Sequence, residues 1–288
     1  MANFNYTLLE LIQKVSFSAG NFKVKIETLT NPDSPTQHMI ECVNEVIRSI
    51  WHIKPTPWNQ GESYFAVQET YDITTTSSTS GVGGLDYSDS TITVTQGSSS
   101  ATITSTGDDI GTDAAAWVNR ALWFTGADSG YGFMRINAAE DGGSNDIDLT
   151  FDEAWPYATL SDKTTWRASL DRYELASDFG DFITAIAVPE DAVGSSSSTP
   201  SRTMKIGTIM ELETLRHTMR SSPTTVGNPN FITIAKKSSN SLWLAELDPF
   251  PEDVGIVKYR YSKVPTVLSS DSDEIPIPDE HYDLLGRG

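Results

Sequence analysis

The sequence predicts an α+β fold: a helical platform, a β-rich C-terminal part, and between them an inserted all-β module of sandwich or barrel type. Three observations carry this reading. Apolar residues recur at helical steps twice before Lys54. From Ile73 the composition turns to Ser, Thr, Gly and Asp, with short β-type runs split by turn residues. The closing stretch alternates at period two between prolines. Periods of 3.6 and 2 separate helix from strand, and glycine and proline mark where each must stop.

From Phe4 to Ala19, Leu8, Leu9, Leu11, Ile12 and Val15 give one broad apolar helical face, ended by Ala19-Gly20-Asn21. Asn31-Pro32-Asp33 makes a turn, Ser34 is placed to cap a second helix, and Pro35 suits its first position. Met39, Ile40, Val43, Val46, Ile47, Ile50 and Trp51 follow at steps of three and four. The helix is expected to stop near Lys54, because Pro55 and Pro57 cannot extend it.

Phe65 and Val67 predict a strand, and residues 1–72 form the N-terminal helical part. Residues 73–172 are the inserted β module. Within it Thr91 to Thr95 and Ala101 to Thr104 read as a hairpin about Gln96-Gly97, and Leu122 to Phe124, Gly132 to Ile136 and Ile147 to Thr150 add short strands. Trp166 to Glu174 reads as the last strand of the module. Residues 173–288 resume the core, with a strand at Ile183 to Val188 and helical spacing through Ile209, Leu212, Leu215 and Met219. A hairpin over Phe231 to Ile234 and Leu242 to Leu247 follows. Beyond Pro251, Val254 to Ser262 alternates as a strand with two different faces. The rigid Ile275-Pro276-Ile277-Pro278 then leads to a short terminal helix at Asp279-Glu280.

Net charge is −19, and no Lys or Arg occurs between Lys54 and Arg120 while eight carboxylates fall there. That distribution opposes attachment to DNA by counterion release and suits a channel through which DNA passes without specific binding. Neither a membrane span nor a secretory leader is expected, and the single Cys42 rules out an internal disulfide framework.

The search for chemistry yields little, and no enzymatic role is expected. His38, His52, His217 and His281 lack a second His, a Cys or an acidic partner at zinc-ligand spacing. Gly81-Val82-Gly83-Gly84 lacks the Lys-Ser/Thr of a phosphate loop, and no G-x-S-x-G elbow occurs. Asp141, Asn145, Asp146 and Asp148 offer oxygen ligands, but Asp146 stands where a calcium loop needs glycine, so an acidic turn is the expectation. Asp148, Asp152 and Glu153 lie near Trp155 and Trp166, a loose ground for a hydrolase or a sugar platform. Lys205 and the pair Lys236-Lys237 are isolated, and read as solvated rather than as a nucleic-acid site. Neither a cofactor nor a metal is expected.

Several segments resemble tailed-bacteriophage head-to-tail adaptors, the connector or neck rings beneath the portal. They are Val43-Asn44-Glu45-Val46 ending in Trp51, Tyr173-Glu174-Leu175 with Asp178-Phe179, and Gly227-Asn228-Pro229 before Phe231. Leu244-Pro249-Pro251, Tyr259-Tyr261-Pro265 and Ile275-Pro276-Ile277-Pro278 leading to Glu280 and Tyr282 complete the set. The resemblance covers roughly 1–60 and 173–285. It implies a structural virion protein made in the host cytoplasm and lodged in the neck as a homo-oligomeric, dodecameric ring. Its partners would be the portal above and a neck, nozzle or tail protein below, with tail fibres as a further neighbour. Residues Tyr282, Leu284 and Leu285, an apolar terminal turn, are the expected partner contact. The alternative is a carbohydrate-binding virion protein that meets the host through the β module.

Overall fold

The computed structural model describes residues 7–18, 29–30, 32, 34–53, 59–68, 70–72, 89–106, 111–143, 145–189, 201–219, 224–238 and 241–276. Helices α1 (Leu8–Ser18) and α2 (Ser34–Ile53) are followed by strands β1 (Gln60–Val67) and β2 (Tyr71–Asp72). Next come β3 (Ser90–Val94), β4 (Ser100–Ser105), β5 (Arg120–Phe124), β6 (Met134–Gly143) and β7 (Asp146–Phe151). Then β8 (Leu160–Lys163), β9 (Trp166–Leu170), β10 (Arg172–Glu174) and β11 (Phe179–Pro189) follow. The chain continues through β12 (Arg202–Thr203), β13 (Lys205–Ile206), helix α3 (Ile209–Thr214), β14 (Val226–Gly227) and β15 (Phe231–Lys237). It closes with β16 (Trp243–Asp248), β17 (Phe250–Pro251) and β18 (Gly255–Lys263).

The fold is mixed α+β with strand dominant, 48% strand against 20% helix, and the largest sheet curls into a half-barrel. Among the described residues α1 and α2 are the only α-helices longer than two turns, so the expected helical platform amounts to one helix pair. Two compact units share the chain: Met1–Glu62, Asp178–Ile183 and Arg260–Gly288 in the first, Ser63–Ser177 and Thr184–Tyr259 in the second. The anticipated module edges at 72 and 172 fall inside the second unit. The reason is local: β2 pairs with β9, Tyr71 opposite Ala168 and Asp72 opposite Arg167, so residues before 73 complete the sheet.

In the first unit, Leu8, Leu11 and Ile12 of α1 pack with Ile40, Val43, Ile47 and Trp51 of α2. Burying such faces stabilises by about 1.5–3 kcal/mol per large side chain, which short helices need because propensity alone does not hold them in water. Leu268 and Ile275 close the same core. The amide of Leu8 donates to the carbonyl of Asp273 at 2.8 Å, and Thr7 bridges Glu274. Asn44 on α2 donates to the Leu268 carbonyl at 2.9 Å and accepts from its amide at 2.9 Å. The helix pair, Leu268 and Ile275 thus share one core.

The second unit carries the eight-stranded sheet, in the order β2-β9-β5-β6-β7-β4-β3-β8. The hairpin β3–β4 forms in the register its alternation requires, with Ile92 opposite Ile103 on the buried face and Thr91 opposite Thr104 on the other. Trp117, Trp155 and Trp166 fill the core beneath with Ile92, Ile103, Ile136 and Leu149. Strand β5 is buried along its whole length: Leu122 and Phe124 enter that core, while Trp123 stacks on Phe250 at 4.8 Å on the opposite face. Its apolar run from Ala121 to Phe124 is the mark of a strand covered on both sides.

The expected single strand from Trp166 to Glu174 is two. Strand β9 belongs to the eight-stranded sheet, and β10 opens a second sheet in the order β10-β16-β15-β13. Asp171 stands at the break with no solvent exposure, and its carbonyl accepts from the Leu247 amide. Pro251 sits in β17, paired in parallel with Gly227 of β14. A two-residue strand after the Asp248-Pro249 cis peptide spares Pro251 any need for a ladder donor.

Candidate functional site

The densest polar constellation among the described residues is a buried ion network in the second unit. Arg135 of β6 donates to Asp171 at 2.5 Å and to Glu246 of β16 at 2.8 Å. Arg216, just past α3, donates to Glu246 at 2.5 Å, Asp248 at 3.1 Å, Asp171 at 3.2 Å and the Leu247 carbonyl at 3.0 Å. Arg172 reaches the other oxygen of Glu246 at 2.8 Å. Phe250 and Phe133 lie against the Arg216 guanidinium at 5.0 and 5.2 Å, so aromatic faces complete its surroundings.

Three guanidiniums against three carboxylates leave the network neutral, and charge pairing sets its protonation. Burial alone would raise the Glu246 pKa, but Arg135, Arg216 and Arg172 outweigh it and hold the carboxyl at about 2. Burial likewise disfavours the charged guanidiniums, yet Asp171 and Glu246 raise Arg135 and Arg216 above the ordinary arginine value. A carboxylate locked ionised between arginines accepts no proton near neutrality, so it is no general acid or base. The network is a structural clamp.

What it clamps is α3. Thr208 caps that helix through a reciprocal pair, its hydroxyl accepting from the Glu211 amide while Glu211 accepts from the Thr208 amide at 2.8 Å. The chain then widens into a π-helical turn, Leu215–Met219, which carries Arg216 into the network. Gly207 precedes the cap because no side chain fits there: a Cβ would lie 2.3 Å from the Phe231 ring. Locked at both ends, the helix presents Met210, 77% exposed, with Ile209 and Ile206 exposed beside it. A second feature of the same unit is a small cleft of about 30 Å³, lined by Val67, Ala187, Val188, Val254 and Ile256 together with Arg202 and Asp253.

The residues singled out from sequence are placed as follows. Trp155 and Trp166 are buried core, 1% and 0% exposed, so neither is a sugar platform. Asp152 pairs with Lys236 at 3.2 Å, which also takes Lys236 out of the class of free solvated charges. Asp148 accepts from Thr102 at 2.8 Å, and Asp141 accepts from the Gly143 amide at 2.9 Å, as in an acidic turn. Two histidines have helical neighbours that the zinc-spacing argument passed over. His38 lies 4.0 Å from Glu41 and 3.8 Å from the Cys42 sulfur, and His217 lies 3.1 Å from Glu213. Among the described residues no three of His, Cys, Asp or Glu converge to hold a metal. No described helix is long and apolar enough to cross a membrane.

Tyr282, Leu284 and Leu285 lie outside the described residues, as do His281, the glycines 81–84 and the terminal helix expected at Asp279. Sequence reasoning missed Arg135, Asp171, Arg216, Glu246 and Asp248. One signal was available: along Leu244, Glu246 and Asp248 the charges share the strand face of a leucine.

Compared with known proteins, the chain matches no family model and no curated protein.

Proposed function

We propose that this protein is a structural head-to-tail adaptor of a tailed bacteriophage. In this reading identical subunits form a ring below the portal that extends the DNA channel and joins capsid to tail. The observation that supports it most is the first unit. Segments carrying the resemblance at both ends of the chain, α2 with Asn44 and Trp51 and the stretch around Pro265 and Ile275, share one core. The other segments of the resemblance, Tyr173 to Leu175, Gly227 to Pro229 and Leu244 to Pro251, belong to the second unit.

The site chemistry agrees. The best-formed polar cluster is a buried clamp whose Glu246 is held ionised near neutrality, and apolar side chains stand exposed at the start of α3, as a contact surface requires. The acidic balance suits a channel wall that does not hold DNA. Cryo-electron microscopy of the virion neck tests the reading. Density directly under the portal that this chain fits is the expected result. Its fitting a fibre tip, or no virion density, would overturn the proposal.

A further inference from the structure

The second unit carries two unlike features whose shapes and charges correspond. The first is a projection. Ile206, Ile209 and Met210 are 36%, 40% and 77% exposed within five residues of one another in sequence, at the edge strand β13 and the first turn of α3. Water-facing apolar clusters on a fixed backbone mark contact surfaces, and methionine, unbranched and polarisable, adapts to the hole it enters. Lys205 and Glu211, an exposed ion pair at 3.3 Å, flank this projection, and Glu213 stands one turn further along.

The second is the cleft. Its walls are Val67, Ala187, Val188, Val254 and Ile256, and about 30 Å³ of free space admits two or so waters, or the end of one apolar side chain. Val254, one of these walls, is itself 41% exposed. Arg202 and Asp253 also line it, one of each sign. The projection thus offers an apolar tip beside a lysine and two glutamates, and the cleft an apolar hole beside an aspartate and an arginine. In sign Arg202 corresponds to Glu213, which His217 faces at 3.1 Å within its own chain, and Asp253 to Lys205, which Glu211 faces at 3.3 Å.

We infer that the cleft receives Met210 of a second copy of this chain, with Arg202 facing Glu213 and Asp253 facing Lys205 across the contact. The occupant is a second copy because one and the same chain carries both halves of the complement, apolar and charged. Long-range repulsion between two chains of net charge −19 works against encounter. Specificity then rests on these local opposite pairs, which disfavour other registers. A projection and a hole that differ give a head-to-tail contact, which closes into a ring or a dimer according to the rotation between copies. The inference deepens the ring reading by naming the surfaces that would join neighbouring subunits.

The test is the molar mass of the full chain by light scattering from 10 µM to about 1 mM. The expected result is association that Met210→Asp weakens at least tenfold with an unchanged melting temperature. Val254→Asp, across the contact, should weaken it equally. Arg202→Glu should weaken association, and Arg202→Glu with Glu213→Arg should restore it. A single-subunit mass throughout would overturn the inference. So would association that survives Met210→Asp, or a Val254→Asp variant that associates normally and so gives the cleft another occupant. The two proposals fail separately: a neck ring whose subunit contact omits Met210 sinks this contact alone, while variant-sensitive association without a neck ring sinks only the adaptor reading.

Discussion

Arg216 and Glu246 meet at 2.5 Å with neither side chain reaching solvent, and each is bound again by a partner of opposite sign. Thirty residues of sequence separate them, so the pair ties the turn after α3 to the middle of β16. Buried pairs add little net stability over apolar packing, because desolvation cancels most of the attraction, but a pair broken on one side leaves an uncompensated charge. Arg216→Met should therefore cost about 3–5 kcal/mol, read from urea unfolding of the full chain. Arg216→Met combined with Glu246→Met should cost less than the sum of the single changes. Strict additivity would show that the two are not coupled.

The same pair gives the protein an acid limit. Glu246 is held at about 2 in the fold against an ordinary 4.5. A depressed folded value means the stabilisation is complete above the unfolded pKa and is lost as pH falls toward the folded one. Melting temperature should thus be flat above about pH 5 and fall between about pH 4.5 and 2, with roughly 3 kcal/mol withdrawn over that window by this group. Glu246→Gln should flatten the slope in that window while lowering stability at pH 7. A slope unchanged by Glu246→Gln would assign the acid limit to other carboxylates.

At the tip of the β6–β7 hairpin the design runs the other way. Glu140 stands directly opposite Asp148, two exposed like charges across an antiparallel ladder. Directly opposed like charges destabilise a strand pair. Glu140→Lys should raise stability by roughly 0.2–1 kcal/mol, visible as a small increase in melting temperature that high salt erases. A fall in stability on this change would mean that the local field at the tip is not net negative.

The legible parts of this fold are those in which one periodicity acts alone. Helix α2 runs to Ile53, as the prolines beyond it require, and the Thr91–Thr104 hairpin takes the register of its alternation. What was illegible depended on partners far away in sequence. Arg135 and Glu246 are 111 residues apart, and each alone looks like an ordinary solvent-facing charge in a strand. The break at Asp171 was invisible for the same reason: the interruption of Trp166 to Glu174 is imposed by arginines on β6 and after α3, not by any turn residue within it. Trp155 and Trp166, weighed as a loose ground for a sugar platform, are core because a curled eight-stranded sheet needs large side chains to fill its inner face. The Met210 projection escaped notice because Ile209, Leu212 and Leu215 kept helical spacing, and spacing does not reveal which end of a short helix is left uncovered.

Asn44 offers the sharpest test of the first unit, because both halves of its amide are used. The nitrogen donates to the carbonyls of Ile40 at 3.0 Å and Leu268 at 2.9 Å, and the oxygen accepts from the Leu268 amide at 2.9 Å. Asn44→Ala leaves buried backbone groups of Leu268 without partners, at about 1–3 kcal/mol each. Asn44→Asp is nearly isosteric, yet at neutral pH it keeps only the accepting role and sets a carboxylate against two carbonyl oxygens. It should be at least as destabilising as Asn44→Ala at pH 7. The protonated carboxyl regains one donor, so the deficit relative to the parent chain should shrink as pH falls, opposite in sign to the acid loss that Glu246 imposes. Hydrogen exchange at the Leu268 amide is the local readout: both variants should accelerate it at pH 7 while amides of the eight-stranded sheet keep their protection. Equal acceleration across both units would mean that Asn44 supports the whole molecule rather than the junction of α2 with the proline-spaced segment.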